Sequence, residues 1–281
     1  MEHFFDWSLT FDLLGYDFVQ QMLIAGVVLG LTAGLLGPLV VTRKMAFAVH
    51  GTAELAFTGG AAALLLGIGV GYGALAGSVV AALLLGLLSR RDADRDSVIG
   101  AILAFGLGLG VLFLALYKGR AANKFGLLTG QIVAVGSTDM WLLIGTAAAV
   151  IAVLAFIYRP LHFSSVDAAV ATARGVPVRT LSVVFFVLVG VATALSVQIV
   201  GALLVLSLMI TPAAAASRVT ASPVKATILA IVFAETAVVL GILLSLAPGM
   251  PVSAFVTAVS FLIYLVCRAF GRSRSHAARV H

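Results

Sequence analysis

His50 and Glu54 stand four residues apart in the stretch Met45-Ala46-Phe47-Ala48-Val49-His50-Gly51-Thr52-Ala53-Glu54, inside otherwise apolar surroundings. On a helix, positions i and i+4 are separated by about 40° of rotation and about 6 Å, so one imidazole and one carboxylate share a face and can reach one ion. Both are metal-ligand types, and a borderline divalent ion such as zinc or manganese accepts the pair. An ionisable residue inside a membrane span costs on the order of 2.5 to 3.5 kcal/mol on insertion scales, so two kept side by side indicate a functional path. Thr58 continues the same face and offers a further oxygen, although threonine on a helix also bonds back to the carbonyl four residues earlier. Glu235 lies near the middle of a later apolar run, where it must face a cavity or a partner, and is a second candidate for the path.

The elements that position these residues follow from composition. The chain has 281 residues, 62% hydrophobic and 10% charged, with a mean hydropathy of +1.19. That is too apolar for a soluble domain and implies an all-α, polytopic membrane protein. Runs long enough to cross a hydrocarbon core, about 20 residues, fall near 18–42, 45–70, 72–89, 97–117, 139–158, 181–197, 199–216, 224–247 and 251–269. The sixth and seventh are short and close together, so about eight or nine transmembrane helices are expected. Residues 1–17 carry Glu2, Asp6, Asp12 and Asp17 and no Lys or Arg, unlike the positive start of a signal peptide, so the first span is expected to be retained.

Basic residues orient these spans. With an external N-terminus, only Lys118, Arg120 and Lys124 face outward, and the remaining fourteen of seventeen Lys and Arg are cytoplasmic. The C-terminus is then inside, at the plasma membrane. The same distribution removes nucleic acid as a partner, because the cations sit at span ends and form no patch with interleaved aromatics. The single Cys267 rules out an internal disulfide framework. Glycines at four-residue spacing, Gly26, Gly30 and Gly34, Gly69, Gly73 and Gly77, and Gly106 and Gly110, let helix backbones approach closely.

One polar connection differs from the rest. In Ser164-Ser165-Val166-Asp167-Ala168-Ala169-Val170-Ala171-Thr172-Ala173-Arg174-Gly175-Val176-Pro177, Ser164 or Ser165 is expected to cap a short helix, Asp167 suits its positive end, and Gly175 with Pro177 stops it. About ten residues cannot span a bilayer. The segment is either a plain connector or a dock for a soluble partner.

Three segments, in order, resemble the integral-membrane permease subunit of ABC importers for zinc, manganese and iron, over about residues 18–268. Gly34-Leu35-Leu36-Gly37-Pro38-Leu39-Val40-Val41-Thr42-Arg43-Lys44-Met45 resembles the family's Gly-Pro-hydrophobic-Arg-Arg-Met entry to its second span. Gly201-Ala202-Leu203-Leu204 through Pro212-Ala213-Ala214 is similar to its Gly-Ala-Leu-Leu to Pro-Ala-Ala motif, and the capped segment lies where the family places its coupling helix. After Arg-Arg-Met the family commonly has Asp, then His four residues on. Here His50 comes first and Glu54 second, which keeps both ligand classes in exchanged order.

The resemblance implies a type II ABC importer permease architecture and a single transmembrane permease domain, 1–281. Within it lie an external segment 1–17, a cytoplasmic coupling loop 159–180 and a cytoplasmic basic tail 269–281. It implies no catalytic chemistry and no permanently bound cofactor; zinc is favoured as cargo, with manganese or iron as alternatives. Expected partners are a separate ATP-binding subunit, an external metal-binding protein, a second copy of the permease and membrane lipid. Metal contacts are expected at His50 and Glu54, with Thr58 and Glu235 along the path, and ATPase coupling at Ser165, Asp167, Arg174 and Gly175. The chain has no Gly-x-x-x-x-Gly-Lys-Ser/Thr loop, so ATP must be bound elsewhere. The alternative is a secondary transporter or exporter of small metabolites working without an ATPase, which an internal repeat with matching broken helices would favour. An intramembrane metalloenzyme lacks its motif, since His50-Gly51-Thr52-Ala53-Glu54 is not His-Glu-x-x-His.

Overall fold

Hydrocarbon offers backbone groups no hydrogen-bond partners, so an apolar run of span length becomes a helix that satisfies itself. The structure, a computed structural model, describes residues 7–88, 92–119, 137–200 and 205–277. Outside them lie Glu2 and Asp6 of the N-terminal segment, Arg90, Arg91, Arg120, Lys124 and Arg279 of the charge pattern, and Gly201 to Leu204 of the second motif. All nine apolar runs appear as helices: α2 Asp17–Thr42, α3 Ala46–Leu66, α4 Val70–Leu88, α5 Asp92–Leu116, α6 Ser137–Val166, α8 Val178–Val200, α9 Val205–Val219, α10 Pro223–Leu246 and α11 Val252–Ala277. Two short helices also lie among the described residues, α1 Trp7–Leu13 and α7 Ala168–Ala173.

Among the described residues seven helices are long and apolar enough to cross a membrane: α2, α3, α5, α6, α8, α10 and α11. Against the expected eight or nine, α4, with 19 residues, and α9, with 15, are not among these seven. The run near 45–70 is cut short because Gly67 adopts a left-handed conformation, φ 72°, that terminates α3.

The chain divides into two compact units. One comprises residues 1–41 and 206–281, which puts α2 beside the C-terminal helices. Its glycine stripe is the reason for that packing. A methyl on Gly34 would stand 2.5 Å from the Ile231 Cα, and one on Gly26 would stand 2.6 Å from Val238 Cγ1. α10 therefore lies directly on the glycine face of α2. Ala213, Ala216 and Ala230 form a small buried core against which Val41, Leu229 and Phe233 pack.

The other unit, residues 42–205, is built on α3, which packs against α4, α5 and α8, while α8 also contacts α4 and α6. Gly59 of α3 meets Gly73 of α4 backbone to backbone, and Gly77 meets the Leu55 carbonyl. Gly69, the first glycine of that predicted stripe, lies before the helix and does not share in the crossing. Two hydroxyl contacts add register: Thr52 Oγ1 of α3 lies 3.5 Å from Thr193 Oγ1 of α8, and Thr58 Oγ1 lies 2.5 Å from the Gly106 carbonyl of α5.

Candidate functional site

α3 begins at Ala46, directly after a sharp reversal of the chain. Lys44 turns it with φ 54°, left-handed without being glycine, and Met45 takes the position before the helix. His50 and Glu54 then follow at one-turn spacing on an unbroken helix, as expected. Glu54 is 5% exposed, and His50 is half-buried. The backbone and Cβ of Glu54 press against Gly106, where a methyl would stand 3.3 Å from either. α5 thus crosses α3 close to the carboxylate position, with Gly106 at the point of contact.

Among the described residues the buried His50 Nδ1 atom has no hydrogen-bond partner. An unpaired buried polar atom forfeits about 1 to 3 kcal/mol. Thr58, one turn beyond Glu54, has its hydroxyl shared between the carbonyls of Glu54, at 2.8 Å, and Gly106. It is back-bonded and also ties α3 to α5. Among the described residues no group of three or more His, Cys, Asp or Glu gathers at one place.

Glu235 belongs to the other compact unit. It lies on α10 with its carboxyl group over Gly30 of α2: a methyl there would stand 3.0 Å from Cδ and from Oε1.

The polar connection differs from its sequence reading in one respect. α6 runs on through Pro160 to Val166, so Ser164 and Ser165 end a long helix and do not cap a short one. Their hydroxyls donate back to the Leu161 carbonyl at 2.8 and 2.6 Å. The cap of α7 is Asp167, whose Oδ1 accepts from the Val170 N–H at 2.9 Å. At the far end Gly175, φ 78°, donates to the Thr172 carbonyl and Val176 to that of Ala171, closing the helix in a Schellman motif. Arg174 stands 5.9 Å over the Phe163 ring. Ala171 is fully buried beneath this segment, whereas Val166 is 72% and Val170 43% exposed.

Arg43 is the residue whose use the sequence did not reveal. It was read as a topological charge and part of a motif, yet its guanidinium binds both flanks of the connection. Nε donates to Ser165 Oγ at 2.7 Å, Nη2 to Ser164 Oγ at 2.7 Å and to the Leu161 carbonyl at 3.3 Å, and Nη1 to Ser182 Oγ at 3.2 Å. The same group lies 5.3 Å from the Phe185 ring centroid.

The chain as a whole has counterparts among known proteins. The chain matches the ABC 3 transport family over residues 15–271. It is 30% identical over 217 residues to the manganese transport system membrane protein MntC of Halalkalibacterium halodurans, covering 76% of this chain and 74% of that one. The manganese import system permease protein ScaB of Streptococcus parasanguinis is 28% identical over 95% of this chain and 96% of its own. In three dimensions the fold superposes on a chain of PsaBC from Streptococcus pneumoniae, solved in complex with Fab, with a TM-score of 0.83 and 26% identity, covering 92% of this chain and 94% of that chain.

Proposed function

This chain belongs to the ABC 3 transport family, and from that membership we propose that it is the metal-conducting permease of an ATP-driven importer for manganese or a closely similar divalent ion. As a membrane permease subunit it is not itself an ATPase. A separate ATP-binding subunit supplies the energy, and an external binding protein delivers the ion. The single observation that carries this reading is the family match, which runs almost from end to end of the chain. Zinc comes first on the sequence alone; the names of the MntC and ScaB relatives support manganese ahead of it. The ion is cargo, with no resident cofactor implied.

His50 and Glu54 contact the ion in passage. Two ligands from one chain make a weak site, which suits a path that must release what it binds, and a two-fold homodimer doubles the set. At 1.5 Å per residue from the start of α3 at Ala46, the pair lies about 6 and 12 Å along the helix, on the way to the middle of a bilayer. Thr58 fixes the wall of that path, and Glu235 on α10 is a second candidate for contact with the ion. The segment with Ser165, Asp167, Arg174 and Gly175 docks the ATPase from the cytoplasm within the loop 159–180. The N-terminal segment 1–17 is external and the basic tail 269–281 cytoplasmic. With α4 and α9 both counted as crossings, the single permease domain has nine spans, one of the two numbers expected for a type II importer.

The test is reconstitution of the chain with its ATPase and binding protein in vesicles, following uptake of radioactive manganese, zinc and iron(II). ATP-dependent uptake, fastest for manganese, is expected. Uptake by this chain alone, driven by an ion gradient, would overturn the reading in favour of a secondary transporter.

A further inference from the structure

The connection between α6 and α8 is held by a residue that is not part of it. Ser164 and Ser165 donate to the Leu161 carbonyl, which leaves their oxygens as acceptors, and Arg43 fills both. Its remaining contacts reach the Leu161 carbonyl and, across the connection, Ser182 and Phe185 at the start of α8. One planar fork therefore fixes the end of α6 and the beginning of α8 relative to each other. A lysine, with a single ammonium, cannot reproduce that geometry.

Arg43 is also only three residues ahead of the first residue of α3. The intervening turn is tight, with Lys44 in the left-handed region, and leaves little slack. A shift of the 164–182 connection is passed to Arg43 and from there to α3, whose second turn presents His50 and third Glu54. From this linkage we infer that Arg43 is the positioning residue through which ATPase docking moves the His50–Glu54 pair. The inference rests on the importer reading above.

The test uses the complete transporter in vesicles. R43K and R43Q should insert, co-purify with the ATPase and sustain ATP hydrolysis. Manganese(II) uptake per ATP hydrolysed should fall about tenfold or more, within the range typical of coupling between sites. Ser164→Ala, Ser165→Ala and Ser182→Ala combined remove only hydroxyls, and should lower the same ratio by a smaller factor. This triple variant carries the test if the Arg43 variants fail to insert. An unchanged ratio in the variants that insert would overturn the inference. So would loss of ATPase co-purification, because Arg43 would then only build the dock. Failure of the wild-type complex to transport manganese, zinc or iron(II) would instead count against the importer reading.

Discussion

The Glu235 carboxyl group rests on the backbone of Gly30: a methyl added there would meet Cδ and Oε1 at 3.0 Å and Oε2 at 3.1 Å. The carboxylate on α10 thus fits because α2 has no side chain at this point. Gly30→Ala should destabilise the protein by about 1 to 3 kcal/mol through overpacking. Glu235→Ala should relieve most of that cost, so the two changes combined are far from additive. Thermal unfolding of the four variants in detergent checks the cycle, and additive shifts would mean that the pair does not touch.

On the proposed importer reading, removing either member of the α3 pair deletes little packing volume but takes one of two proposed ligands from the path. His50→Ala and Glu54→Ala should each lower manganese uptake about tenfold or more, equivalent to roughly 1.4 kcal/mol or more of lost ion stabilisation. ATPase assembly should be unchanged. The exchange His50→Glu with Glu54→His should keep part of the activity, since both ligand types stay on one face. Wild-type uptake in both alanine variants would show that the pair is structural.

Asp167 caps α7 through the Val170 N–H. Asp167→Ala should cost the segment about 1 kcal/mol of local stability, while Asp167→Asn or Asp167→Ser preserves a cap. Co-purification of the ATPase should weaken with alanine and persist with asparagine. Equal binding by all three would make the segment a plain connector.

Gly175 and Lys44 share the left-handed region and differ in side chain. Gly175→Ala should cost about 1 to 2 kcal/mol, whereas Lys44→Gly should be neutral or mildly stabilising because it removes strain of the same kind. Thermal stability and manganese uptake together decide this. A strong loss with Lys44→Gly would show that the Lys44 side chain is itself required.

The positions of the helices and the spacing of His50 and Glu54 were legible in the sequence because both are local. Hydropathy over about 20 residues specifies a span, and a four-residue interval specifies one helix face. The glycine stripes were legible as close-approach surfaces, but not their partners: nothing near Gly30 in the chain names Glu235, and nothing near Gly106 names Glu54. The end of the fifth run misled for a related reason. Its apolar stretch was read as 139–158, so Ser164 and Ser165 were expected to cap the next helix, yet α6 continues to Val166 and leaves that role to Asp167. Arg43 lay furthest from reach. Its partners stand 118 to 139 residues away along the chain, and only tertiary folding brings them to one guanidinium. Periodicity and polarity act over a few residues and can be read from neighbours. Which polar group a buried donor meets is decided by how helices pack, and the chain order does not contain that information locally.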